Sequence, residues 1–178
     1  MSIYVGLDIS LTSTGFGKKS NDDLDLATVK TKPKDFENDL VRYQHIRDEL
    51  MRRIPDDVDM ICIEDFYVPR QSHQIKACIG LIQVGTIVRL SLLERGLPFR
   101  IVTTTQLKKY CTGKGQCPKD TIVKEVYKRW NVDTNDNNQA DACVLAYMAE
   151  SIMESQDLPK FKSETIQKIL ADGARYNV

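Results

Sequence analysis

The chain has 178 residues, 42% of them hydrophobic and 28% charged, with 25 Lys and Arg balancing 25 Asp and Glu. That length and mix fit one globular domain, ~100–200 residues being typical, and exclude a wholly disordered or collagen-like chain. The longest uncharged apolar run, residues 77–88, falls well short of the ~20 residues that cross a bilayer. The N-terminal residues carry neither the basic region nor the small-residue cleavage site of an export signal. A cytoplasmic protein with no membrane partner is expected.

In chain order, Ser2–Asp8 reads as a buried strand ending on an acid. Residues 12–17, β-branched and Gly-rich, suit a turn and a second strand, and Leu24–Thr31 a third. Phe36, Leu40, Tyr43, Leu50 and Ile54 recur at near-helical spacing and predict an amphipathic helix over 35–54, stopped by Pro55. Met60-Ile61-Cys62-Ile63 is a short apolar run that again ends on acids, as a central strand would. Residues 73–95 predict a long helix that is apolar nearly all round, which must be covered on more than one side. A sheet on one side and a second subunit on the other would satisfy it. A fifth strand over 99–103 follows, then a short helix at 104–110, a Gly-Lys loop at 112–116, a basic helix at 118–130 and a helix at 138–154. From Asp157 the chain is a polar tail with one weak helix near 163–171, so the domain is placed at 1–156 and the tail at 157–178. Strands first, then strand–helix–strand with flanking helices, predict an α/β fold: a three-layer domain around a mixed central sheet.

The balanced net charge hides an asymmetry. Between Phe66 and Trp130, twelve Lys and Arg face only Glu94, Asp120 and Glu125, an excess of nine positive charges. Such a segment suits a polyanion-facing surface or a dispersed solvated one; spacing does not say which side chains share a face. The five cysteines match no zinc or redox spacing and fit a reducing compartment. His45 reads as a surface residue, and His73 as helix-start polarity.

Asp8 and Glu64 each end a strongly apolar strand, and Asp141 interrupts an apolar helix turn, Ala140 to Ala146. A carboxylate among that many apolar residues is not expected to be buried unpaired. If the two strands are neighbours, the three acids converge at one sheet end and repel one another. A divalent cation compensates such a group, and hard oxygen ligands select Mg2+ or Mn2+. Two such ions about 3.5–4 Å apart activate water and stabilise a leaving phosphate-ester oxygen. Three unrelated acids are the bland alternative.

Gly6-Leu7-Asp8-Ile9-Ser10 followed by Thr14-Gly15-Phe16-Gly17, Ile63-Glu64 followed by Tyr67, and Gln139-Ala140-Asp141-Ala142 followed by Leu145-Ala146 together resemble the motifs of RuvC-type Holliday junction resolvases, over residues 3–150. The resemblance implies an RNase H-like fold, a homodimer and Mg2+-dependent nicking of four-way DNA junctions; the all-round apolar pattern of the 73–95 helix places the dimer contact there, and the three acids would hold two ions per site. It implies Asp8, Glu64 and Asp141 as catalytic metal ligands. At Asn138 the family usually has Asp or His; the amide oxygen can still ligate a metal but is no base. Asp136 is the alternative, five residues from Asp141 and a poorer fit to one helix face. Tyr67 would wedge or stack at the crossover, and Lys108, Lys109 and residues 112–119 resemble the basic loop of phage members. With Arg70, Lys76, Lys114 and Lys119 these make the expected DNA surface. Two other readings compete: a catalytically weak or inactive branched-DNA-binding module, which Asn138 invites, and half of an actin- or sugar-kinase-like ATPase, for which Asp8 to Thr12 is a loose phosphate-loop match.

Overall fold

The computed structural model describes residues 1–21, 23–66, 75–154 and 157–172, without the side chains of 75–77 and 119. Its elements run β1 (Ile3–Asp8), β2 (Ser13–Ser20), β3 (Asp23–Lys30), a 3-10 turn (Pro33–Asp35), α1 (Asp39–Arg53), β4 (Met60–Glu64), α2 (Ile75–Glu94), β5 (Phe99–Val102), α3 (Thr104–Thr112), α4 (Lys119–Trp130), α5 (Asn137–Met153) and α6 (Lys160–Asp172). The sheet order is β3-β2-β1-β4-β5. β1 and β2, and β2 and β3, pair antiparallel, whereas β4 runs parallel to both β1 and β5. The sheet is therefore mixed; β1 and β4 lie inside it, as their apolar runs predict, and they are neighbours.

Alternation along the strands sorts side chains to two faces. Tyr4, Met60 and Cys62 share a core with α3, α4, α5 and α6. Val5, Leu7, Ile61 and Ile63 share the other with Ile46 and Leu50 of α1 and Val84, Val88 and Leu92 of α2. This gives the three layers of an RNase H-like α/β fold. Among the described residues no helix is long and apolar enough to cross a membrane.

Local signals set the helix ends. Asn38 caps α1 by accepting from the Val41 amide, and Thr103 and Gln106 form a capping box at α3. Gly113 and Asn131 end α3 and α4 in the left-handed conformation. The tail differs from the sequence expectation. α6 is longer than the weak helix expected near 163–171, and it buries Ile166 and Ile169 in the α5-side core. Its Lys162 is buried with its ammonium over the rings of Tyr110 (4.5 Å) and Trp130 (4.9 Å). Those rings solvate the cation from their faces, which lets a Lys-rich helix dock where hydrophobicity alone signals a weak one.

Candidate metal centre

β1 and β4 deliver two carboxylates to the same place. Their parallel register pairs Gly6 with Cys62 and Leu7 with Ile63, so Asp8 and Glu64 emerge side by side at the strand ends. By alternation both face α5, as Gly6 and Cys62 do. α5 can approach because β1 and β2 present glycines to it. A Cβ on Gly6 would lie 2.1 Å from the Ala142 carbonyl oxygen, and one on Gly15 2.0 Å from that of Asn138. The helix backbone thus lies directly on the sheet, and its Asp141 joins Asp8 and Glu64. Carboxylate oxygens of the three residues all lie within 4.8 Å of one another, and each residue is partly buried. A cavity of about 160 Å3 beside them is lined by Asp8, Glu64, Asp65, Phe66 and Thr104.

The electrostatics follow from this crowding. Burial, then the charges of Glu64 and Asp141, hold the Asp8 carboxyl well above its ordinary range. Burial raises Glu64 as well, opposed by hydrogen bonds from Thr104 and Asp8 and by the Lys108 charge. Thr104 Oγ1 donates to Glu64 Oε1 at 2.6 Å. Sequence reasoning missed Thr104; the capping box at Thr103 and Gln106 was the readable signal that an α3 N-terminus starts here.

Asp136 is not part of the acidic group. It caps α5, accepting from the Asn138 amide at 2.9 Å and from Thr28 Oγ1 at 2.9 Å. Burial would raise its carboxyl, but these hydrogen bonds prevail and hold it below the ordinary range. Asn138 donates its side-chain Nδ2 to Ser13 Oγ at 3.0 Å and Asp136 Oδ1 at 3.1 Å, which ties the β1–β2 turn to the start of α5.

The basic excess of residues 66–130 is dispersed among separate partners. Arg89 pairs with Asp65 at 3.1 Å and covers the Phe66 ring. Arg95 binds the Met51 and Ile54 carbonyls and Asp56, beyond the N-terminal end of β4 and away from the carboxylates. Lys128 and Arg129 pair with Glu125, and Lys109 with Glu164 at 3.2 Å. Lys108 is partly buried and Lys114 exposed. Tyr67, Arg70 and His73 lie outside the described residues, as do the side chains of Lys76 and Lys119. The buried thiols of Cys62, Cys111 and Cys143 are pushed up by desolvation, which suits packing and not reactivity.

Comparison with known proteins places the chain in a family and a fold. The family model described as crossover junction endodeoxyribonuclease RuvC matches residues 4–149. A curated relative, crossover junction endodeoxyribonuclease RuvC of Synechococcus sp. (strain CC9311), is 28% identical over 90 residues, which is 49% of this chain. The chain spans about half the length of that relative, 54%. Two solved structures share the fold. T. thermophilus RuvC in complex with Holliday junction substrate superposes with a TM-score of 0.61 at 20% identity, covering 82% of this chain and 91% of that one. A second Thermus thermophilus RuvC structure gives 0.61 at 19% identity, covering 81% and 90%.

Proposed function

This chain belongs to the RuvC family, and from that premise we propose that it is a metal-dependent endodeoxyribonuclease that nicks four-way DNA junctions by two-metal phosphodiester hydrolysis. The observation that carries the reading is the convergence of Asp8, Glu64 and Asp141 to within 4.8 Å. Burial and mutual repulsion raise Asp8, so the group is costly as it stands, and a divalent cation relieves that cost. Its all-oxygen donors fit Mg2+ or Mn2+. Asn138, whose Nδ2 is engaged by Ser13 and Asp136, offers its amide oxygen as a fourth, neutral ligand. When bound, two such ions supply an activated water and stabilise the leaving ester oxygen.

The chain's own residues prepare that chemistry. Thr104 fixes the Glu64 carboxylate by donating to it. The glycine-lined approach of α5 sets the distance of Asp141 from the strands. Because the Asp8 carboxyl is raised, metal ligation there competes with proton binding. Tyr67 is assigned to stack at the crossover, and Arg70, Lys76, Lys108, Lys109, Lys114 and Lys119 to contact phosphates. The solved relative bound to a Holliday junction substrate supports this class of DNA. A homodimer through α2 is part of the reading. Ile79, Ile82, Leu90 and Leu93 recur along one side of α2 and remain 49%, 37%, 51% and 45% exposed, although the opposite side packs on the sheet. A two-fold pair would cover that stripe and present two identical sites to two strands. Residues 1–156 carry the nuclease centre in this account, with α6 as a brace on α3 and α5.

Cleavage mapping on a mobile four-way junction, a flap and a plain duplex, with and without Mg2+, tests the proposal. Paired nicks in the junction that need the metal are expected. A junction retarded in a gel but never cut would instead favour the binding-module alternative.

A further inference from the structure

We propose that the end of β3 and the loop after it form a second phosphate-docking surface, through Lys30 and Lys32, for the DNA arm leaving the cleavage centre; this rests on the nuclease reading above. Strand register places the loop. Asp8 pairs with Gly15 and Gly15 with Thr28, so the three lie in one row across β1, β2 and β3. Thr28 reaches Asp136 and Gln139 around the start of α5, which fixes its face as that of α5. Lys30, two residues on, faces the same way and pairs with Ser13, whose hydroxyl accepts from Asn138. Two strand spacings and two residues of rise put Lys30 roughly 12 Å from Asp8. It therefore stands on the same face and at the same end of the sheet as the carboxylates, on the side away from β4 and α3.

The surface there is built and not incidental. Thr12, Ser13, Lys30, Thr31, Lys32 and Asp35 are among the residues lining a groove of about 310 Å3. Arg42 of α1, 4% exposed, anchors its Thr31: Nε donates to Thr31 Oγ1 at 2.9 Å and a terminal nitrogen donates to the Leu11 carbonyl. The Thr31 amide donates to the Thr12 carbonyl at 3.0 Å. A loop fixed before binding reduces the ordering cost of docking. Lys30, Lys32 and the neighbouring Lys34 are exposed, and among the described residues none of the three is ion-paired with an acid. This separates them from Arg89, Arg95, Lys109, Lys128 and Arg129, whose charges already have acidic partners. Exposed unpaired ammonium groups flanked by Thr12 and Ser13 hydroxyls suit a phosphodiester backbone.

The test is junction and duplex binding in chelator, so that nothing is cut, across a salt series. Lys30→Ala/Lys32→Ala is compared with the wild type, and Lys32→Ala, outside any strand, serves if the double variant folds poorly. The slope of log affinity against log salt is expected to flatten by about one unit per lysine per subunit. Junction and duplex affinity should weaken alike, because phosphate contacts position without specifying. Unchanged slopes in both variants, with the wild type binding normally, would overturn this inference and leave the nuclease reading standing. A wild type that binds no DNA would overturn both.

Discussion

The two faces of the sheet are built by different means. On the α1–α2 face the strands contribute Val5, Leu7, Ile61 and Ile63, and the helices answer with Ile46, Leu50, Val84, Val88 and Leu92. Large aliphatic side chains hold those layers apart at ordinary distance. On the α5 face, Gly6 and Gly15 remove the side chains between strand and helix, and backbone meets backbone. That face also carries the polar and charged pairs: Lys19 with Glu150, Tyr4 with Glu154, Tyr110 with Ser151, and the acidic group itself. The aliphatic face stabilises the fold, and the close face sets the distances within the acidic group. Charge is tolerated where the approach is fixed by backbone, because each polar group then finds its partner at a defined position.

Substitutions on the two faces break this comparison in opposite ways. Gly6→Ala should push α5 outward, since its Cβ would meet the Ala142 carbonyl oxygen and the Ala146 nitrogen, at 2.1 and 2.5 Å. A misplacement near 1 Å costs about a hundredfold in rate, so junction cleavage should collapse; single-turnover kinetics below the melting temperature check it. Leu50→Ala, on the aliphatic face, should cost about 2–5 kcal/mol of stability and leave the cleavage rate of the folded fraction near wild type. Equal rates for Gly6→Ala and wild type would show that the close approach is packing only.

A smaller effect concerns the exposed side of α2. Ile82→Asp/Leu90→Asp should convert a dimer at micromolar concentration into a monomer in sedimentation, since both residues stand on the uncovered stripe. Asn138→Ala should reduce cleavage by roughly tenfold, in the range of losses at supporting positions around a metal. It removes both a proposed neutral ligand and the tie to Ser13.

The last and smallest effect is on stability. A carboxyl whose folded pKa exceeds its unfolded value binds its proton more tightly in the folded chain. Stability therefore falls as pH rises from the ordinary carboxylate range through the raised Asp8 value. Asp8→Asn removes that loss. In chelator its melting temperature should exceed wild type at pH 7.5, with the gap narrowing toward pH 4.

Much of this was legible in the sequence for identifiable reasons. Apolar runs ending at Asp8 and Glu64 marked central strands, and Asp141 stood out because an acid among Ala, Cys, Val and Leu needs a partner. Three things were not legible. Gly6 and Gly15 read as motif and turn residues, since a sequence does not say which backbone will lie against them. Counting basic residues along residues 66–130 left one surface and a dispersed one both open, and Arg95 and Arg129 take partners far apart in the fold. Lys30 and Lys32 escaped notice because three nearby acids, Asp35, Glu37 and Asp39, offset them in any running count. Only the strand register shows that the lysines share an end with Asp8.

On the proposed reading, Asp8, Glu64 and Asp141 form one metal-holding group that serves cleavage and not docking. Single-turnover cleavage of a labelled four-way junction by Asp8→Asn in Mg2+, with binding measured on the same preparation, tests it most directly. The account predicts a rate lower by more than about a hundredfold, with junction affinity equal to wild type or tighter, because one negative charge no longer repels phosphate. Cleavage by Asp8→Asn near the wild-type rate would contradict it.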